Sequence, residues 1–357
     1  MHVIECDNVN TALHHGLIYL ADHGIKEPSR NGPVLVAPGP VTTVYHKPWQ
    51  RVLFSPLRDA NPFFHLMEAL WMLAGRNDLE FPRYFNSNFG SYSDDGVVVH
   101  GAYGHRWREW FGYDQLTEIV TELQRNPSSR RCVLAMWDGT ECDDPDGYVP
   151  RRKSDLKIAF ADGKDVPCNT HAYFDCRGGK LNMTVCCRSN DIWWGAYGAN
   201  AVHFSILQEY VADRIGVPMG LYYQVSNNFH LYTSVVPEER LREYANDALH
   251  YNYYSDSPLF RLQCADFQPL QWVQMGHQEN WTQWHVNRFI ETRGRETHNF
   301  FLETIAGPMY AAYILRKEKA GTGMEHILRM PANNDWHIAC KEWINRRNQK
   351  KERAANA

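Results

Sequence analysis

Between residues 170 and 216 the apolar residues of this chain change period, from two to about three and a half. Two short runs, THAYFDC and KLNMTVCCR, flank Arg177-Gly178-Gly179, a turn whose glycines permit positive φ. In the second run Leu181, Met183, Val185 and Cys187 fall on one face, and Asn182, Thr184, Cys186 and Arg188 on the other. The pattern predicts a hairpin with one buried face. ANAVHFSILQEYVADRIG follows, with Phe204, Leu207, Val211 and Ile215 at the spacing of a helix that buries one stripe. A half-buried strand pair feeding an amphipathic helix requires layers of sheet and helix around one core, so the expected fold class is mixed α/β (α+β).

Other segments extend that picture. After Asn61-Pro62, FFHLMEALWMLAG places Phe63, Met67, Leu70, Trp71 and Ala74 at helical spacing and ends on Gly75. RRCVLAMWD reads as a buried strand, NDWHIACKEWINRRNQKK as a closing helix, and the polar run from about 139 to 165 as a surface insertion. With 357 residues, 44% of them hydrophobic and 22% charged, there is enough chain for a sizeable core. A net charge of −4 gives no basic excess that would point to nucleic acid or an anionic membrane. MHVIECDNVN lacks the features of a signal peptide, and no apolar run reaches the ~18 residues of a membrane span, so a cytoplasmic protein is expected. The nine cysteines include no CxxC pair, which argues against zinc or a disulfide framework and for reduced, mostly buried thiols.

Candidate chemistry is crowded between Glu68 and Tyr232. Glu68 lies one helical turn from Phe64 and from Met72, beside Trp71. A carboxylate on such a face loses solvation and suits proton transfer near neutral pH. Arg30, the pair Arg130-Arg131, and Arg188 with Ser189 and Asp191 near strand ends are candidate anion ligands. Neither GxxxxGK[ST] nor GxGxxG is present, so the anion is not a triphosphate or dinucleotide held in a glycine-rich loop. In SNNFHLY, His230 and Tyr232 share a strand face and suit either a sugar hydroxyl or a half-buried structural pair. Cys168, in DVPCNTHAYF, would be a nucleophile whose thiolate is favoured by nearby arginines. Together these groups describe covalent catalysis on a phosphorylated small molecule.

The order and spacing of PCNTHAYF, RSND, GANAVHFSILQEYVA and SNNFHLY resemble the thymidylate synthase family, which includes the pyrimidine-nucleotide hydroxymethylases. SRNGPVL, HLMEALWMLAG, GAYGHRWR and SSRRCVLAMW match upstream, so the resemblance covers roughly residues 8 to 235. It implies a single domain over 1–357, with the insertion near 139–165 and a divergent helical extension from about residue 236. It also implies a mixed sheet packed against helices, with the sheet mediating a homodimer. By resemblance, Cys168 would add to C6 of a pyrimidine nucleoside monophosphate, making C5 able to attack the one-carbon unit of 5,10-methylenetetrahydrofolate. Glu68 would organise water and proton transfers, Tyr103 would sit near C5, and Asp191 would face the pterin. Arg30, Arg188 and Ser189 would bind the 5′-phosphate, with Arg130 and Arg131 reaching it from the other subunit. His230 and Tyr232 would hold the sugar hydroxyl, and Asn200 would read the base edge. No metal and no nucleic acid are implied.

The chain departs from the family at informative places. Asn169 stands where histidine usually follows the nucleophile, Ser226-Asn227-Asn228 stands for Gly-Gly-Asp, and one extra residue precedes Asn200. The methyl-forming enzymes end in a short apolar tail that closes over the folate, whereas this chain ends in NRRNQKKERAANA. Water capture of an exocyclic methylene gives hydroxymethyl, and hydride transfer gives methyl. These departures favour 5-hydroxymethylation of dCMP or dUMP. The alternatives are thymidylate synthase activity on dUMP, or a catalytically silent nucleotide- or RNA-binding homologue, which would be marked by loss of Cys168 or Glu68.

Overall fold

The computed structural model describes residues 1–141, 154–255, 283–331 and 334–355. The hairpin forms where the alternation places it, as Asn169–Arg177 paired antiparallel with Lys180–Cys187 across Gly178 and Gly179, both at positive φ. Leu181, Met183 and Val185 are fully buried on its inner face. It sits inside a six-stranded sheet in the spatial order β1 (His2–Cys6), β4 (Val41–Tyr45), β9 (Met219–Ser226), β7 (Lys180–Cys187), β6 (Asn169–Arg177) and β5 (Val133–Ala135). A smaller sheet has four strands in the order β2 (Ile25–Glu27), β3 (Val34–Val36), β10 (Phe229–Tyr232) and β8 (Asn190–Asp191). Parallel and antiparallel pairs occur in both sheets, so each is mixed as expected.

The helix Asn200–Ile215 is the spine of the core, and its first thirteen residues are all buried. It packs against β7, β9 and the helix Pro62–Leu73. Gly216 ends it in the left-handed conformation, φ 74°, a region that costs glycine no steric penalty. Ahead of it, Ile192–Ala199 is wound with i→i+5 bonds and broken by a kink at Gly198, whose φ of −111° and ψ of −109° are not helical.

The helix Pro62–Leu73 begins at Asn61, whose side chain caps Phe64 N at 3.2 Å, with proline at its first position. The helix Tyr103–Arg108 crosses its C-terminal end closely. A Cβ on Gly104 would lie 2.0 Å from the Met72 carbonyl oxygen, so glycine is required for this approach. The contact fixes Tyr103 relative to Glu68.

The region from about 139 to 165 is less peripheral than its polarity predicts. Residues 142–153 lie outside the described residues, but a helix over Asp155–Phe160 follows them. Asp155 is fully buried and takes two bonds from the equally buried Arg106, at 2.6 and 2.9 Å, with His100 at 2.8 Å. Burial alone would raise the Asp155 pKa, but the bonds from His100 and Arg106 outweigh it and hold the carboxyl below its ordinary range. Removing one partner of such a pair leaves a buried charge uncompensated. Asp155→Ala is therefore expected to lower stability by about 3–5 kcal/mol, read as an earlier urea midpoint. An unchanged midpoint would show that the pair is not structural.

Past residue 236 the described elements are helical, including Leu241–His250, Gln283–Glu291, Gly307–Lys317 and Asp335–Ala355. The last is tied to the loop before the Glu68 helix by Arg346 and Arg347, 3.2 and 2.6 Å from Asp59. Trp343 also packs edge-on against Phe63, with ring centroids 5.4 Å apart. Among the described residues, no helix is long and apolar enough to cross a membrane.

Candidate active site

A cavity of about 760 Å³ opens between the two sheets and the Glu68 helix. It brings together Arg30, Glu68, Tyr103, Cys168, Arg188, Ser189, Asn200, His230 and Tyr232. Trp71, Met72, Phe89 and Val99 give it an apolar wall. Asp191 and Asn169 do not line it. Arg130 and Arg131 are exposed at the start of β5 and do not reach it within one chain.

Cys168 sits just before β6 on a segment held from several directions. The Tyr103 hydroxyl accepts from the backbone N–H of Cys168 at 3.1 Å and of Asn169 at 3.0 Å. Arg188 N–H donates to the Cys168 carbonyl at 2.8 Å, and its guanidinium donates to Pro167 O at 2.9 Å and Val166 O at 3.1 Å. Upstream, Asp165 accepts from Gly101 N at 2.9 Å. Arg188 thus both places the thiol's backbone and lends it positive charge.

The expected depression of the thiol's pKa is not found. Burial pushes the Cys168 thiol above its ordinary value, outweighing Arg188 and Arg30, and the Asp165 carboxylate adds to the rise. Proximity to arginine was legible in the sequence, but the desolvation that defeats it is a property of the fold. The sign carries a test. Alkylation of Cys168 by iodoacetamide in the unliganded protein is expected to keep accelerating as pH rises past 9, and Arg188→Ala should move the rise to still higher pH. A plateau below pH 8, with the modified peptide identified by mass spectrometry, would contradict this electrostatic balance.

Asn200 stands within a head-to-tail relay of amides. Asn169 Nδ2 donates to Asn200 Oδ1 at 3.3 Å, Asn200 Nδ2 to Asn190 Oδ1 at 3.1 Å, and Asn190 Nδ2 to Ser226 Oγ at 2.9 Å. No one amide can flip without setting donor against donor or acceptor against acceptor, so the relay gives Asn200 a defined direction. Two departures from the family pattern, Asn169 and Ser226, are its ends. The Asp191 carboxylate accepts from Trp193 N at 3.1 Å and Trp194 N at 2.6 Å. Burial raises its pKa and lowers that of His230, its neighbour in the β8–β10 pairing, although each charge works against the other's shift.

Three groups at or beside the site were not singled out from sequence. Asp165 lines the cavity but lay in a polar run. Arg58 is buried between Trp193 and Trp194, 5.1 and 4.9 Å from their ring centres, and burial lowers its pKa to about 10. His203 also lines the cavity and lies 3.2 Å from Glu68. Its signal was available, because it stands three residues after Asn200 and so shares its helix face.

The described cysteines, Cys6, Cys132, Cys168, Cys176, Cys186, Cys187 and Cys340, are free thiols, and Cys142 and Cys264 lie outside the described residues.

Comparison with known proteins defines the class. The family model for thymidylate synthase matches residues 59–280. A deoxyuridylate hydroxymethyltransferase of Pseudomonas phage M6 is 42% identical over 353 residues, covering 97% of this chain and 95% of that protein. Another, from Bacillus phage SP01, is 36% identical over 203 residues, 54% of this chain and 49% of that one. The crystal structure of thymidylate synthase from T4 phage superposes with a TM-score of 0.50 at 19% identity, covering 64% of this chain and 78% of that chain, a likeness of fold. The chain belongs to the thymidylate synthase family, whose members are folate-dependent one-carbon transferases.

Proposed function

We propose that this protein transfers a one-carbon unit from 5,10-methylenetetrahydrofolate to C5 of dUMP and releases the product as a 5-hydroxymethyl nucleotide. The observation that carries this reading is the convergence of Cys168, Glu68, Arg188, Asn200, His230 and Tyr232 on one cavity, in a chain 42% identical over nearly its whole length to a deoxyuridylate hydroxymethyltransferase. The cavity's volume lies within the ~300–1,000 Å³ typical of small-molecule sites. Its apolar wall of Trp71, Met72, Phe89 and Val99 fits a pterin. The folate, when bound, supplies the methylene.

Cys168 adds to C6, and Tyr103 and Arg188 hold its backbone in position for that attack. Arg30, Arg188 and Ser189 take the phosphate, with Arg130 and Arg131 of a second subunit completing the cluster in a sheet-mediated homodimer. Supporting this assembly, β5 follows those arginines directly, and Val133 and Tyr173 expose apolar surface on neighbouring strands. His230 and Tyr232 take the sugar hydroxyl. Asn200, directed by its relay, offers one N–H and one lone pair to the base, matching O4 and N3–H of uracil. A cytoplasmic location suits substrates drawn from nucleotide pools. Incubation with dUMP, dCMP, UMP and CMP in turn, with methylenetetrahydrofolate, tests the reading by mass spectrometry. Turnover of dUMP is expected, and preference for a cytosine or ribose substrate would overturn the assignment.

A further inference from the structure

Glu68 and His203 face one another across the junction of two buried helices. His203 is 4% exposed and the Glu68 side chain 13% exposed, and both line the cavity. Glu68 Oε2 and His203 Nε2 are 3.2 Å apart, yet neither makes a hydrogen bond. A buried polar atom without a partner carries a desolvation penalty of about 1–3 kcal/mol, so native structures rarely leave two side by side without a use. Two such atoms facing a cavity form a seat for one water molecule, which can satisfy both. His203 comes from the same helix face as Asn200, so the seat adjoins the position that reads the base.

We propose that His203 is the general base that activates water in the hydroxymethyl-forming step, with Glu68 as its electrostatic partner. This rests on the hydroxymethyltransferase reading above. The nucleotide at this stage carries an exocyclic methylene at C5 and the Cys168 sulfur at C6. Water oxygen bonds to the methylene carbon while one water proton passes to His203 Nε2. The methylene π pair shifts into the ring and leaves the charge on O4 as an enolate. The enolate re-forms the carbonyl, the C5–C6 double bond is restored, and the C6–S bond breaks. Cys168 leaves as thiolate and takes up the proton from His203, so nothing is oxidised or reduced. The adjacent Glu68 carboxylate stabilises the transient imidazolium.

His203→Gln keeps a polar side chain in the helix and removes the base, and two readouts separate chemistry from folding. Release of tritium from C5 of labelled dUMP reports the steps before water addition, and 5-hydroxymethyl nucleotide reports water addition itself. In the variant, tritium release is expected to stay within about 3-fold of the parent while hydroxymethyl product falls about 10²-fold or more. Added 2-mercaptoethanol is expected to trap the accumulated methylene as a thioether nucleotide. Equal loss of both readouts, or loss of neither, would overturn the proposal while leaving the hydroxymethyltransferase reading intact. A methyl product from the parent enzyme would instead overturn that reading, and this proposal with it.

Discussion

Cys168→Ser is expected to abolish turnover, with a fall of about 10³-fold or more in release of the C5 hydrogen. A serine hydroxyl is a far weaker nucleophile than a thiolate at neutral pH, and no other thiol lines the cavity among the described residues. The structure sharpens the expectation. Burial holds the resting thiol above its ordinary pKa, so the unliganded enzyme carries little thiolate. The serine variant should still bind nucleotide, because Arg30, Arg188 and the backbone around residue 168 are untouched. Cys186→Ser and Cys187→Ser serve as controls and should stay active. Cys187 is buried behind the strand and donates to Ser189 O at 3.2 Å, a bond a hydroxyl can also make. Substantial residual turnover in Cys168→Ser would contradict the covalent step.

The second large effect concerns Arg131. Its exposure, together with that of Arg130, leaves both outside their own chain's cavity, and the proposal assigns them to the partner's phosphate. Truncating one partner of a hydrogen-bonded charge pair costs about 2–5 kcal/mol, so Arg131→Ala should lower activity by about 30-fold or more. Mixing Arg131→Ala chains with Cys168→Ser chains should then restore activity. In the heterodimer one site combines an intact Cys168 with an intact Arg131, while the other lacks both. Random exchange makes half the dimers mixed, so recovery should approach about a quarter of the parent activity. Heterodimers that form but stay inactive would place the arginines in their own subunit's site or outside any site.

Much of this architecture was legible where the signal was periodic and local. The 170–188 hairpin and the helix from Asn200 follow from alternation and from a 3.6-residue stripe, and each formed within a residue or two of expectation. Of the four-stranded sheet only β10 was legible, in SNNFHLY. The other strands are two or three residues long, and the sheet pairs across up to about two hundred positions, as Val36 does with His230, so no local pattern announces them. Asp155 was misplaced because a carboxylate in a polar run reads as solvated, and only the distant Arg106 and His100 make its burial tolerable. Most of the residues assigned to the site from motif order do meet at one cavity. Their electrostatic state did not follow, because the sign of the Cys168 shift depends on burial that no spacing encodes. His203 was passed over because it lies within a helix whose neighbours are all core residues, where a buried histidine reads as structural.

Hydroxymethyl and methyl formation differ in what happens to the folate. Water addition leaves tetrahydrofolate, whereas methyl formation consumes a hydride from it and leaves dihydrofolate. The decisive measurement is therefore one incubation of the protein with dUMP and methylenetetrahydrofolate, following absorbance for dihydrofolate while the nucleotide product is weighed by mass spectrometry. The expected result is 5-hydroxymethyl-dUMP formed with no matching dihydrofolate. Dihydrofolate appearing in step with dUMP consumption, together with a methylated product, would contradict it.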